Sequence, residues 1–347
     1  MIELDYIINQ FSKTKVNKMK PVIRTILRSS VYQMRYMDSV PDRAVCNEAV
    51  KVAAKRGFVN LKGFVNGVLR TISRNRENIQ LPDKTDMVTY LSIVYSLPEW
   101  LVKQWLAVYD ADTVETMGKA FLENKKTTIR KSPKAGDTTE FVKRLETEGV
   151  IVEPETQMKD VFYISGYDYL EKLQTFRNGE FYVQDISSMQ VAEWADPKAG
   201  DVIIDVCAAP GGKSIHLAEK LDGTGMVEAR DLTEYKVELL QENIERSGLT
   251  NICARVQDAT VKDPESVGNA DIVIADLPCS GLGILGRKPD LRYKMTPKMQ
   301  EELVKLQREI LKVVCEYVKP GGKLLYSTCT IHKAENEDNT AWFQKEH

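Results

Sequence analysis

The chain has 347 residues, 43% of them hydrophobic and 28% charged, with a formal net charge of −2. These are the proportions of ordinary globular domains, with room for two or three of them, and they exclude a disordered or fibrous chain. No apolar run approaches the ~20 residues needed to span a bilayer, and the N-terminal MIELDYIINQF lacks the regions of a signal peptide, so a cytoplasmic location and no membrane partner are expected.

The charge is unevenly spread. The first 80 residues carry 15 Lys and Arg against 6 Asp and Glu, which leaves the rest of the chain acidic. A basic segment at one end suggests a polyanionic partner, although a solvated helical face would account for the charge by itself. The six cysteines, Cys46, Cys207, Cys253, Cys279, Cys315 and Cys329, are dispersed and form no C-x-x-C. That spacing argues against a zinc site or a disulfide framework, and no metal is expected.

Residues 3–75 read as helices. Val22, Ile23, Ile26, Leu27, Val31 and Met34 recur at helical spacing, a second pattern runs from Arg43 to Arg56, and a third from Leu61 to Ser73. Residues 76–90 are polar and read as a linker. Leu91 to Val108 reads as a helical segment interrupted at Pro98, with Trp100 and Trp105 as core anchors. Thr127–Arg130 and Val161–Ser165 then read as strands around a helix at Thr138–Glu148, a small α+β module. From Asp201 onward strands are expected near 202–207, 225–230, 252–257, 271–276 and 323–328, and helices near 213–221, 233–247 and 298–318. Gly321-Gly322 is expected to end the last helix and turn the chain into the final strand.

The most informative stretch is Asp201 to Lys213, DVIIDVCAAPGGK. A buried strand, a tight turn and a helix are how doubly wound α/β folds hold a nucleotide. Gly211 and Gly212 allow close approach of the backbone, and the following helix points free N–H groups at the ligand. The stretch is neither G-x-G-x-x-G nor a P-loop, so a nucleoside-like ligand without a phosphate chain suits it better. Asp205, Asp231, Asp258 and Asp276 stand at the C-terminal ends of predicted strands. Asp231 lies where an acid accepts bonds from ribose hydroxyls, and Asp258 where one meets the amino group of a base. One such Asp is often only a helix cap; four in register with one glycine turn imply a nucleoside cofactor, and S-adenosylmethionine fits the missing phosphate apparatus.

Two cysteines leave neighbouring strand ends on the same side: Cys279 in Asp276-Leu277-Pro278-Cys279, and Cys329 in Ser327-Thr328-Cys329-Thr330. A buried apolar position is the ordinary reading of a cysteine, and it is taken here for Cys46, Cys253 and Cys315. A thiolate over a cofactor pocket is a nucleophile. Added to carbon 6 of a pyrimidine, it makes carbon 5 reactive enough to take a methyl group, and an acid such as Asp276 bonded to ring nitrogen 3 would offset the charge. Arg287 and Lys288, just beyond, are equally readable as phosphate contacts or as a solvated loop. His216 and His332 are read as incidental.

As a set these motifs resemble the RNA cytosine-5 methyltransferases of the bacterial RsmB/Sun type that act on 16S rRNA. Asn47-Glu48-Ala49-Val50 and Phe64-Val65-Asn66-Gly67-Val68-Leu69-Arg70 resemble the end of a NusB-type RNA-binding domain. The resemblance implies a Rossmann-like S-adenosylmethionine-dependent α/β domain, preceded by a small α+β module and an all-α NusB-like segment, with expected bounds of 181–347, 77–180 and 1–76. It implies that the family's domains extend before Met1 and beyond His347. It implies Cys329 as the nucleophile, Cys279 as the residue that assists release, and Cys207, Ala208, Ala209, Pro210, Gly211, Gly212, Lys213, Asp231, Asp258 and Asp276 as the lining of the cofactor site. RNA is the expected partner of a monomeric enzyme. A tRNA-directed enzyme of the same chemistry, and a non-catalytic NusB-type RNA-binding factor, stand as alternatives.

Overall fold

The computed structural model describes residues 1–123 and 126–347, and the chain divides into two compact units, Met1–Glu123 and Asn124–His347. The first unit is all helical: α1 (Ile2–Phe11), α2 (Pro21–Tyr36), α3 (Asp42–Lys55), α4 (Lys62–Arg74), α5 (Met87–Val94), α6 (Glu99–Leu106) and α7 (Ala111–Ala120). Pro21 opens α2, where its missing N–H costs nothing. The α2 face of Ile23, Ile26, Leu27, Val31 and Met34 is buried against α1, α3 and α4, as its spacing predicts. Each of these aliphatic side chains contributes about 1.5–3 kcal/mol when fully buried. Val22 is the exception, 36% exposed and outside that stripe.

The stretch read as a linker already contains the start of α5, because Asp86 caps it by accepting the Thr89 N–H at 3.1 Å. Asp110 caps α7 in the same way, accepting the Thr113 N–H at 2.8 Å. Trp105 is buried, as a core anchor should be, whereas Trp100 is only half-buried.

The second unit holds two sheets. β1 (Thr127–Lys131), β2 (Ile151–Pro154), β3 (Val161–Ser165) and β4 (Phe181–Val183) form an antiparallel sheet in the order β2-β3-β1-β4. α8 (Thr138–Thr147) packs Phe141 on it among the rings of Phe162 and Phe181, and the short α9 (Gln174–Arg177) precedes β4.

α10 (Ile186–Ala195) leads to the second sheet, built from β5 (Val202–Asp205), β6 (Met226–Asp231), β7 (Ile252–Val256), β8 (Ala270–Asp276) and β9 (Val318–Ser327). All its pairs are parallel, in the order β7-β6-β5-β8-β9. α10, α11 (Gly212–Lys220) and α12 (Glu234–Ser247) cover one face, α14 (Pro297–Val314) covers the other, and α13 (Leu291–Lys294) and α15 (Glu337–Glu346) complete the unit. This is the expected doubly wound α/β fold. The chain leaves β5 toward β6 and later returns to β8 on its other side, so the ligand crevice opens at the carboxyl ends of β5 and its neighbours.

Gly321-Gly322 does not end a helix. α14 stops at Val314, and the glycine pair sits inside β9 as an irregularity in its pairing with β8. Gly321 has φ +82°, and a Cβ on Gly322 would come within 2.7 Å of the Asp271 carbonyl. Periodicity could not show this, because a bulge and a turn use the same residue.

His216 lies on the buried face of α11, with its Nδ1 unpartnered. Burial first, then the charges of Arg130 and Lys220, pushes the ring down to about 2 from an ordinary value of 6.5. The folded chain therefore keeps the ring neutral, while the unfolded chain protonates it below 6.5. The associated stability is present above that pH and is lost as pH falls, at up to about 1.4 kcal/mol per unit. Urea unfolding at a series of pH values should show the slope between pH 6 and 4 reduced by that amount in His216→Gln.

Candidate active site

The cofactor turn begins where β5 ends. The Val206 N–H continues the ladder to the Ile274 carbonyl at 3.0 Å, and the Ala208 N–H bonds the Arg230 carbonyl at 2.8 Å. The turn then closes through the Gly211 N–H to the Ala208 carbonyl at 2.7 Å, across a cis Ala209-Pro210 bond. Gly211 has φ +106°, and a Cβ there would come within 2.6 Å of Leu240. Gly212 is under no such constraint, since its Cβ would meet only Gln184 at ordinary contact distance.

Two side chains from other elements hold the turn. Asp231, at the end of β6, accepts the Ala209 N–H at 3.1 Å. Asn243 of α12 donates to the Pro210 carbonyl at 2.9 Å. Asn243 escaped the sequence reading because nothing marks one Asn on an exposed helix.

The four strand-end acids fall into different environments. Asp205 is 1% exposed; it accepts the Ser214 hydroxyl at 2.6 Å and leaves its second oxygen unpartnered. Burial pushes it up to about 6. Asp231 also accepts the Leu232 N–H at 2.8 Å and the Lys236 ammonium at 2.9 Å. Asp258 bonds the N–H and hydroxyl of Thr260 through one oxygen, at 2.8 and 2.7 Å. Asp276 accepts Lys213 Nζ at 2.7 Å on one oxygen and the Ser327 hydroxyl at 2.7 Å on the other. Lys213 thus reaches from the turn across to β8.

The residues suit S-adenosylmethionine. A tight turn through a left-handed Gly211, helix N–H groups beyond it, and carboxylates at the ends of β6, β7 and β8 match a nucleoside with a charged tail. Cys207 takes no part as a nucleophile: burial, then Asp205 and Asp231, pushes its thiol up to about 12.

Cys279 and Cys329 come together. Their sulfurs lie 3.1 Å apart, and the Cys329 N–H also donates to the Cys279 sulfur at 3.2 Å. Cys329 is exposed and Cys279 half-buried. The bond to its partner raises the Cys279 thiol, with burial adding to the effect. The same bond lowers Cys329, assisted by Lys288 and Lys213 against burial and Asp276. The geometry lets either sulfur donate, and the shifts favour Cys329 over Cys279 as the more acidic thiol. Arg287 pairs with Asp185, while the charge of Lys288 helps lower the Cys329 thiol.

Behind the thiols lies a buried polar network that the sequence reading did not assign. Glu335 is 0% exposed and accepts the Ser280 N–H at 2.9 Å and Gln307 Nε2 at 3.0 Å. Gln307 also donates to the Pro278 carbonyl at 2.9 Å, and Asn339 donates to Gln307 at 2.8 Å. Asn336 accepts the Thr328 hydroxyl at 2.6 Å and donates to the Thr330 carbonyl at 3.0 Å. Both cysteine loops are thus held from one side. His332 is not incidental, since its Nδ1 lies 3.1 Å from Glu335. Burial would raise the Glu335 carboxyl, but His332, Ser280 and Gln307 together hold it below its usual range. Gln307 sits in the apolar α14 stripe of Leu303, Ile310 and Val314, and that amide at a core position was the readable signal. Cys253, read as buried, is exposed on β7, and Cys315 is half-buried.

Comparison with known proteins agrees with this geometry. Residues 192–347 match the family model of the 16S rRNA methyltransferase RsmB/F, and residues 1–74 match that of the NusB family. The whole chain is 40% identical to the "Probable ribosomal RNA small subunit methyltransferase B" of Bacillus subtilis (strain 168), over 77% of that protein. It is 34% identical, over 99% of its length and 77% of the relative, to a Synechocystis protein of the same name. The chain belongs to the RsmB family of ribosomal RNA small subunit methyltransferases. The crystal structure of PH0851 aligns with 99% of this chain and 77% of its own at a TM-score of 0.84 and 28% identity. That of NSun6 from Pyrococcus horikoshii with SFG shares the fold, with a TM-score of 0.64 and 22% identity over 72% of this chain and 87% of that one. S-adenosylmethionine is the family's cofactor. Among the described residues no helix is long and apolar enough to cross a membrane.

Removing the Glu335 carboxylate strands the Ser280 N–H and weakens the hold on Gln307. Glu335→Ala should cost about 3 kcal/mol of stability by denaturant titration, and Glu335→Gln clearly less.

Proposed function

We propose that this chain methylates carbon 5 of a cytosine in 16S rRNA through a covalent adduct on Cys329. The supporting observation is the thiol pair, with sulfurs 3.1 Å apart beside Asp276 and Lys213. Bound S-adenosylmethionine supplies an electrophilic methyl group. Carbon 5 of cytosine is too weak a nucleophile to take it unaided.

The Cys329 thiolate adds to carbon 6, forming a carbon–sulfur bond and moving an electron pair toward ring nitrogen 3. In this reading a protonated Asp276, steadied by Lys213 and Ser327, gives its proton to that nitrogen as the charge develops and recovers it when the adduct collapses. Carbon 5, now enamine-like, takes the methyl group. Solvent takes the carbon 5 proton, the electrons of that C–H bond re-form the carbon 5–carbon 6 double bond, and the carbon–sulfur bond breaks with its pair leaving on the Cys329 sulfur. Cys279 serves this last stage: it shares its proton with the Cys329 sulfur, which stabilises the leaving thiolate.

The turn residues Cys207 to Lys213 with Asp231 and Asp258 hold the cofactor, and the cytosine is unstacked to reach the thiols. The ribosomal RNA substrate follows from the names of the curated relatives and from the NusB match over residues 1–74. An intact glycine turn and two converging thiols count against a non-catalytic RNA-binding factor.

Incubation with 16S rRNA and cofactor distinguishes the two thiols. Cys329→Ala should lose methyl transfer by about 10³-fold or more while still binding S-adenosylmethionine. Cys279→Ala should accumulate a protein–RNA adduct that survives a denaturing gel. An adduct with Cys329→Ala instead would reverse the roles, and no adduct with either variant would remove the covalent route.

A further inference from the structure

The helical unit contains a cavity of about 370 Å³ lined by Asp42, Arg43, Cys46, Asn47, Arg70, Ser73 and Arg74. Arg43 and Asn47 are four apart on α3, and Arg70 and Arg74 are four apart on α4, so each pair shares a helix face. The helices pack together and bring the two pairs to one groove. Elsewhere in this unit, Arg28 pairs with Asp5, Arg35 with Glu3 and Arg76 with Asp38. Arg43, Arg70 and Arg74 are exposed and, among the described residues, belong to no such ion pair. The one carboxylate in the cavity, Asp42, is occupied by the Ser73 hydroxyl at 2.6 Å. Three guanidinium groups against one carboxylate leave the groove with uncompensated positive charge.

A second feature continues the same face. Gly63, Gly67, Arg70 and Arg74 recur at i, i+4, i+7 and i+11 along α4. Glycine within a helix is destabilising relative to alanine. Nothing in the fold demands it here, since a Cβ at Gly63 or Gly67 would meet no atom within 4 Å. The two glycines leave bare backbone facing outward in line with the arginines, which lets an extended chain lie close against the helix.

We infer that the α3–α4 groove clamps consecutive phosphates of the RNA backbone. Arg43, Arg70 and Arg74 fork onto phosphate oxygens, Asn47 donates its amide, and Gly63 and Gly67 admit the strand along α4. Planar guanidinium groups suit bidentate phosphate contact, and such contacts position the RNA without reading its sequence. The assignment rests on the proposed RNA substrate and concerns a surface apart from the thiols.

The test measures binding of the full chain to a 16S rRNA transcript over a salt series. Arg70→Gln/Arg74→Gln should weaken binding by about tenfold or more near 0.1 M salt and reduce the log–log salt slope by about one to two. Arg43→Gln should act in the same direction, and in each variant the far-UV circular dichroism and melting temperature should match the wild type, which shows that the helical unit is folded. Arg76→Gln, which removes one paired charge, should change RNA affinity less than twofold. Gly67→Leu should weaken RNA binding without lowering the melting temperature. Unchanged slope and affinity in the Arg70/Arg74 variant, or an equal loss in Arg76→Gln, would overturn the clamp. Unchanged RNA affinity in Gly67→Leu would overturn the path along α4. A wild-type chain with the arginine-dependent slope but no methyl transfer would sink the enzymatic reading and leave the clamp standing.

Discussion

Parallel pairing of β8 with β9 is the constraint on which the active site depends. Ala275 pairs with Tyr326 and Asp276 with Ser327, so the two strands end level. The ladder runs one step further, through the Leu277 N–H to the Ser327 carbonyl at 3.2 Å. From there two short loops deliver Cys279 and Cys329 to the same point. Fifty residues of chain separate these thiols, and only the register of two neighbouring strands makes them a pair. A one-residue slip would send the side chains to opposite faces of the sheet. The bulge at Gly321-Gly322 lies upstream of this pairing and sets which residues of β9 stand opposite β8.

Level strand ends are necessary but do not aim two loops. That is done by Glu335, Gln307 and Asn336, which bond backbone groups on both sides of the thiols, while Asn339 holds the Gln307 amide. Buried polar groups are costly unless every partner is present, and this network is tolerated where an unconstrained loop would leave the sulfurs loose. It also explains why α14 carries an amide in the middle of its apolar face. At the other side of the crevice Asp231 and Asn243 do the same for the cofactor turn. Lys213 and Asp276 link the two halves of the site at 2.7 Å.

Much of this was legible in the residues because the α/β rhythm is strong. The strand ends at Asp231 and Asp276 fall within a residue of where the pattern puts them, β5 stops two residues short at Asp205, and Gly211 is a position that calls for glycine. Motif position alone suggested that Cys279 and Cys329 share a crevice. What was not legible depended on context. Gly321-Gly322 looked like a helix end because a bulge has no composition of its own. Cys253 looked buried because an edge strand reads like a central one. His332 looked incidental because its partner is a carboxylate whose burial only the packing of α14 and α15 creates. The polarity difference between Cys279 and Cys329 arises from their mutual hydrogen bond and from Lys288 and Lys213, none of which is adjacent in sequence to either sulfur.

The most direct measurement is the pH dependence of iodoacetamide labelling of each thiol, followed by peptide mass spectrometry in the RNA-free protein. Cys329 should label first, with a midpoint below the ~8.5 of an ordinary thiol, and Cys279 should lag behind it. In Cys279→Ser the Cys329 midpoint should move, because the donor that holds its negative charge has changed. Faster labelling of Cys279, or two ordinary midpoints unaffected by that substitution, would contradict the account.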